Sequence, residues 1–387
     1  MSYVPRLLEE EVEKASRGFP AVILTGPRRS GKTTLLRRLV RGAEYVLLED
    51  PDVIARFRAD PRGLLDALRP PVILDEIQNV PEILGYVRTR IDAAPRRAGR
   101  WFLTGSQEAP LMRGVTESLA GRAAVFQLLP LSLGESPRVS LFRGGFPEVL
   151  ARPAHADIWF RSYLQTYLKR DVRAVANIHN LGTFRRFLAL LASRTGQLLN
   201  RTDLAGPLGV SVPTVSSWID ILEITSQIIL VPPYLKNFGK RLVKSPKVYF
   251  ADPGLACHLL GLEDPAALER SPFLGPVFEG FIASEIVKNQ IGRGRRREIY
   301  HFRDMQGLEV DFLVPAGASR LLAVEAKAGR TAKPSMADPL VRLGRSLPPG
   351  TESFLVHRPP KDVEHLTALR PGIKAVGPAG LIDALRR

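Results

Sequence analysis

The stretch AVILTGPRRSGKTTLLRRLV, residues 21 to 40, constrains this chain more than any other. An apolar run long enough for one strand meets a loop bounded by Gly26 and Gly31, and a helix follows with Leu35, Leu36 and Leu39 on one side. The spacing G-x-x-x-x-G-K-T is that of a P-loop. Glycines let backbone N–H groups wrap phosphates, and the helix N-terminus adds positive potential. Gly26, Pro27, Arg28, Arg29, Ser30, Gly31, Lys32, Thr33 and Thr34 would form the cradle, with Lys32 reaching the terminal phosphates of ATP and Thr33 ligating Mg2+.

PPVILDEIQ (70 to 78) is continuously apolar, as a central parallel strand covered on both faces should be, and ends in two acids. Asp75 is placed to hold the Mg2+ shell and Glu76 to orient or deprotonate the attacking water. The alternative is that the acid pair caps the following helix. RWFLTGS (100 to 106) brings Thr104 and Ser106 to a third strand tip near the γ-phosphate. With EYVLLED and helical segments between them, the order is that of a doubly wound sheet.

This order of strands resembles the AAA+ branch of P-loop ATPases. The following ESLAGRAAVFQLLPLS contains LAGR, similar to the segment that carries an arginine finger in those oligomers. That resemblance implies Arg122 as a group stabilising phosphoryl charge in a neighbour's site, which requires a homo-oligomer, a ring or at least a head-to-tail pair, with a hexameric ring expected. A plain surface arginine at a helix end is the other reading. GGFPEVL (144 to 150) carries a helix-start signal, and its place resembles the small helical lid after such a core. Trp159, Tyr163 and Tyr167 recur at four-residue steps there and are read as lid packing rather than base stacking.

From about residue 184, FRRFLALLASRTGQ, RTDLAGPLGV and SVPTVSSWIDILEI lay out a helix-turn-helix, and IILVPPYLKNFGKRLVKSPKVYFAD adds a hairpin, together a winged helix. The candidate recognition helix offers Thr214, Ser216, Ser217 and Asp220 outward and no Arg or Lys, a poor set for reading bases. The wing carries Lys236, Lys240, Arg241, Lys244 and Lys247. Lys plus Arg exceeds Asp plus Glu, 55 against 39, for a formal net charge of +16. Such a field attracts polyanions, nucleic acid first and an anionic membrane surface second. If all five wing cations met phosphates, log K would fall with log salt at a slope of about −4.5. Winged helices also dock proteins, and a charge run can be a solvated face.

GLEDPAALERSPFLGP (261 to 276) reads as a linker. PVFEGFIASEIVKNQI then reads as an amphipathic helix with Phe278, Phe281 and Ile282 on its apolar face, Glu285 near the centre of that face and Glu279 on its flank. After the basic loop IGRGRRRE comes a hairpin, EIYHFRD, MQG and LEVDFLV. In its second strand Leu308, Val310, Phe312 and Val314 would share one face and Glu309 and Asp311 the other. In LLAVEAKAGR (321 to 330) Glu325 and Lys327 share a face, either as an ion pair on a solvated edge or as part of a metal centre. In the second case Asp311 and Glu325 hold a divalent cation while Lys327 orients water.

Glu285, EVDF and VEAK are similar to the restriction-endonuclease-like family, PD-(D/E)xK, which includes Holliday junction resolvases; the resemblance implies Glu285 as a metal ligand beside Asp311 and Glu325, with Glu279 and Lys327 in the same site, and Val310 stands where that pattern has proline. From GPRRSGKT through LDEIQ, LTGS, LAGR, GGFP, FEG, EVDFLV and EAK, the chain resembles a group of prokaryotic AAA+ ATPases with a winged helix and a nuclease-like C-terminal domain. That implies an α/β fold in four parts: ATPase core 1–143, helical lid 144–183, winged helix 184–265 and nuclease-like domain 266–387. The expected function is a DNA-stimulated ATPase that remodels or moves along duplex or branched DNA, with ATP and Mg2+ as cofactors. The alternatives are a nucleotide-gated signalling switch with an inert nuclease-like domain, and an ATP-coupled nuclease. The lone Cys257 fits a packed residue in a reducing compartment. No apolar run approaches the roughly eighteen residues of a membrane span, and MSYVPRLLEEEVEK lacks an apolar signal core, so a cytoplasmic location is expected.

Overall fold

A computed structural model describes residues 3–105, 118–167, 181–234, 243–317, 320–360 and 367–386. The first part runs α1 (Glu9–Gly18), β1 (Ala21–Thr25), α2 (Lys32–Leu39), β2 (Glu44–Leu47), α3 (Pro51–Ala59), α4 (Pro61–Asp66), β3 (Val72–Asp75), α5 (Ile83–Ala93), β4 (Trp101–Thr104) and β5 (Ala123–Gln127). All five strands are parallel, in the order β2-β3-β4-β1-β5. Every residue of β1, β3 and β4 is buried, which is why these strands read as unbroken apolar runs. Because β4 lies between β1 and β3, the carboxyl ends of all three meet at one sheet edge.

The middle part contains α6 (Pro147–Ala151), α7 (Ala156–Tyr167), α8 (Leu181–Ala192), α9 (Arg201–Leu208), α10 (Val212–Ile224), β6 (Ile228–Val231), β7 (Lys247–Phe250), α11 (Pro253–Leu259) and α12 (Pro265–Arg270). Gly209 ends α9 in the left-handed region, and Ser211 caps α10 by accepting from the Thr214 N–H. Val215, Trp218, Ile219 and Leu222 recur at helical spacing and are buried. They share one core with Phe146, Phe160 and Tyr163, against which Trp159 also packs, so α6 and α7 are built on common packing with α10. Trp159 stacks on Tyr163 with ring centroids 5.0 Å apart, as packing requires. The expected linker is folded instead. Asp264 accepts from Ala267 N–H to start α12, and its Leu268 is buried beside Cys257 and Val277.

The last part contains α13 (Leu274–Gly292), β8 (Tyr300–Arg303), β9 (Glu309–Pro315), β10 (Leu321–Ala326), α14 (Asp338–Gly344), β11 (Glu352–Val356), β12 (Thr367–Arg370), β13 (Ile373–Val376) and α15 (Pro378–Arg386). Its mixed sheet has the order β12-β13-β11-β10-β9-β8, so β10 is central and no edge strand. Two expectations are corrected here. First, every residue of α13 from Val277 to Gln290 except Glu279 is buried, between the middle part and the sheet, so no single face marks where its acids point. Second, pairing with β8 moves from Leu313 at Tyr300 to Val310 at Phe302, inserting an extra residue in β9. Val310 therefore packs with Leu308 and Leu313 on one core, and Phe312 and Val314 on the other.

Candidate functional site

Gly26 follows β1 with φ 133°, and a Cβ there would lie 2.3 Å from the Leu128 carbonyl oxygen, so a side chain would push the loop off β5. Gly31 caps α2 with φ 100°. The buried Lys32 ammonium donates to the carbonyls of Gly26 (3.0 Å) and Pro27 (2.9 Å), which keeps the cation inside the loop. Thr33 and Tyr45 donate hydroxyls to Asp75 Oδ2 at 2.9 and 2.6 Å, and Thr104 donates to Asp75 Oδ1. Hard oxygen donors on Thr33 and Asp75, side by side under the loop, fit Mg2+, and these two residues would hold it. Bound there, the ion supplies charge neutralisation for the phosphates. Nothing in the sequence marks Tyr45 as part of this cluster. It is pairing of β2 with β3 that brings its phenol to Asp75.

Glu76 takes left-handed backbone angles, φ 59° and ψ 47°, a costly conformation for a residue with a side chain. It makes no side-chain cap to the turn that follows, so helix capping does not explain it. Its carboxylate accepts instead from the Gln78 amide, and its N–H donates to Thr104 Oγ1 at 3.3 Å. Of the loop residues, Arg29 and Thr34 are exposed and Ser30 is buried. Ser106 lies outside the described residues. Ala21 pairs with Ala123, so Arg122 sits at the amino ends of the strands, opposite the P-loop edge. Its guanidinium pairs with Asp92, Nε at 2.5 Å and Nη2 at 3.2 Å.

The C-terminal acids converge differently from expectation. Lys247 opens β7 and is only 2% exposed. Its ammonium donates to Glu279 Oε1 at 2.7 Å and Asp311 Oδ1 at 3.3 Å, and pairs with Glu309. Tyr249 donates its hydroxyl to Glu279. Asp311 Oδ2 accepts the Ala326 N–H at 2.9 Å, and Glu325 Oε1 accepts from Lys327 at 2.6 Å, leaving Glu325 Oε2 buried without a hydrogen-bond partner. Glu285 is not in this cluster. Its Oε2 accepts the Leu133 N–H at 2.7 Å and its Oε1 faces Lys288 at 3.4 Å. Glu285 lies six positions beyond Glu279 along the helix, which turns the two carboxylates about 120° apart.

The reading of Glu285, Asp311 and Glu325 as a divalent-cation set is thus corrected: Glu279 is the helix acid at the cluster, and an internal ammonium sits among the carboxylates. Among the described residues no group of three or more His, Cys, Asp or Glu is arranged to hold a metal ion. Burial raises the Glu279 and Glu325 carboxyls above the ordinary range, and the charge of Asp311 adds to this. Burial opposes the charge of Lys247, but Asp311, Glu279 and Glu309 outweigh it and hold the amine well above its usual value. A carboxyl raised on folding favours the native state below its unfolded value and loses that contribution as pH rises through the raised one. Glu325→Gln removes that loss, so its melting temperature relative to wild type should climb from pH 5 to pH 8; a constant difference across that range would refute the assignment.

Lys247 is therefore no wing contact, because its side chain is spent inside the protein. Lys244 is exposed, and Lys236, Lys240 and Arg241 lie outside the described residues.

Loop, helix, Asp75 and Thr104 define a P-loop ATPase domain of the AAA type. Residues 18–136 match the model of an AAA domain, 135–266 a domain of unknown function (DUF8612) and 274–369 a domain of unknown function (DUF4143). The chain belongs to the same family as uncharacterized protein Rv2008c of Mycobacterium tuberculosis and uncharacterized protein Mb2031c of Mycobacterium bovis. Each is 32% identical to it over 333 residues, 84% of this chain and 74% of theirs. Among solved structures it is similar to the Walker-type ATPase PABY2304 of Pyrococcus abyssi, at 16% identity and a TM-score of 0.41, over 65% of this chain and 94% of that one. It is also similar to a signal transduction ATPase with numerous domains, PH0952 of Pyrococcus horikoshii, at 12% identity and a TM-score of 0.24, over 73% of this chain and 48% of that one. Among the described residues no helix is long and apolar enough to cross a membrane.

Proposed function

We propose that this protein is an ATP-hydrolysing nucleotide switch whose C-terminal domain has a restriction-endonuclease-like arrangement but does not cut. The observation that carries the reading is the Lys247 ammonium, 2.7 Å from Glu279 and 3.3 Å from Asp311, where a nuclease of this kind would need a divalent ion. In the ATPase core, Lys32 holds the terminal phosphates, Thr33 and Asp75 carry Mg2+, Glu76 positions the attacking water and Thr104 fixes Asp75 and the Glu76 N–H. Arg122 acts from the far edge of the sheet, leaving Asp92 to reach a neighbouring subunit's phosphates in a ring. Mixing Arg122→Ala with Lys32→Ala chains restores turnover that each lacks alone; no recovery on mixing would remove Arg122 from that role.

The formal net charge of +16 favours a second reading, in which duplex or branched DNA stimulates turnover through a winged helix. With Lys247 withdrawn, four wing cations remain, and the salt slope of binding falls to about −3.6 from roughly −0.9 per contact. Phosphate release with and without duplex, forked and four-way DNA separates the two. Stimulation that weakens with this slope supports DNA, and rates unchanged by any DNA support the switch alone.

A further inference from the structure

We infer that Arg6 is a positioning residue of the P-loop, and that a buried chain of hydrogen bonds from it couples nucleotide binding to the C-terminal domain through α13. Arg6 is 9% exposed. Its Nη1 donates to the Ser30 carbonyl at 2.9 Å, its Nη2 to the Leu129 carbonyl at 2.7 Å, and its Nε to Glu135 Oε1 at 3.0 Å. In a trans peptide the C=O and the next N–H point opposite ways. Holding the Ser30 oxygen therefore aims the Gly31 N–H away from Arg6, as a phosphate-wrapping amide must be aimed.

The chain continues without a gap. Glu135 accepts Leu7 N–H on the same oxygen at 2.8 Å, and on the other it accepts Ser132 N–H at 2.8 Å and Ser132 Oγ at 3.1 Å. The next residue, Leu133, donates its N–H to Glu285 on α13, and Lys288 on the same helix donates to the Leu131 carbonyl at 3.1 Å. The segment Leu129–Glu135 is thus clamped by Arg6 on one side and by α13 on the other. It directly follows β5, where Leu128 N–H bonds the Thr25 carbonyl at 2.8 Å just before the loop. Buried charges of this kind are costly to place and contribute registry more than net stability. Here the registry is between the loop and the helix at the centre of the C-terminal half. Nucleotide that shifts the Ser30 peptide must shift this clamp, and by reciprocity a partner that moves α13 must alter nucleotide affinity.

The inference rests on nucleotide binding at the P-loop, and the test separates the two. Fluorescent-ADP affinity is measured on full-length wild type, Arg6→Gln, Glu285→Gln and the double variant, with hydrogen exchange of residues 274–292 followed in wild type with and without saturating ADP. Each single change should weaken ADP at least threefold, and the double should depart from the product of the singles by at least about threefold, as coupled rather than independent sites do. ADP should also change exchange along α13, a readout that needs no variant to fold. Independent, multiplying effects, an unaltered Glu285→Gln affinity, or α13 exchange indifferent to ADP would each overturn the coupling. Wild type that binds no ADP would instead overturn the nucleotide site beneath it.

Discussion

Lys247→Met should cost about 3–5 kcal/mol of folding free energy, read as a lower urea midpoint at an unchanged slope, because it strips the cation from buried carboxylates and leaves them uncompensated. The side chains of Lys247, Glu279 and Asp311 are 3%, 16% and 9% exposed, so little solvent is at hand to replace the lost ammonium. Adding Glu279→Gln should recover part of the loss, since one of the charges that Lys247 balanced is then gone. A loss under 1 kcal/mol would place Lys247 among ordinary surface ion pairs and remove the reason for calling the cluster closed.

At the P-loop, Lys32→Ala should lower ATP turnover by at least about a hundredfold, since it withdraws the cation that meets the transferring phosphoryl charge. Glu76→Gln should lower kcat by a similar factor, in the range of about 10²–10⁴, and leave ADP affinity within about twofold. Phosphate release and fluorescent-ADP titration check both. If Glu76→Gln weakened ADP binding and spared kcat, Glu76 would be part of the cradle and not of the water-positioning machinery.

The nucleotide site was legible because its chemistry lies in contiguous motifs at strand ends. GPRRSGKT, LDE and LTG each declare a strand and its tip, and parallel pairing alone brings the tips together. The hairpin could also be followed from its turn, but the central position of VEAK could not, since LLAVEA is buried at every position and its sequence leaves edge and centre open. What escaped was long-range. Lys247 stands among the lysines of a basic connection, and nothing local distinguishes a cation aimed at solvent from one aimed at Glu279 across the fold. Placing Glu285 at the centre of an apolar face and Glu279 on its flank misjudged which acid joins the cluster, because a helical-wheel face has meaning only when the opposite side meets water, and from Val277 to Gln290 every residue of α13 but Glu279 is buried. The extra residue in β9 broke the alternation that had placed Val310 and Phe312 together. Arg6 carried no motif at all; its role comes from where α1's preceding turn crosses the loop.

The proposed function is ATP hydrolysis at the P-loop beside an acidic cluster that stays closed and does not cut. It is tested most directly by following phosphate release and nicking of supercoiled plasmid in the same tubes, with Mg2+ or Mn2+, for wild type, Lys32→Ala and Glu325→Ala. Wild type and Glu325→Ala should turn over ATP, Lys32→Ala should not, and the plasmid should stay intact throughout. Nicking by wild type that disappears in Glu325→Ala and persists in Lys32→Ala would contradict that function.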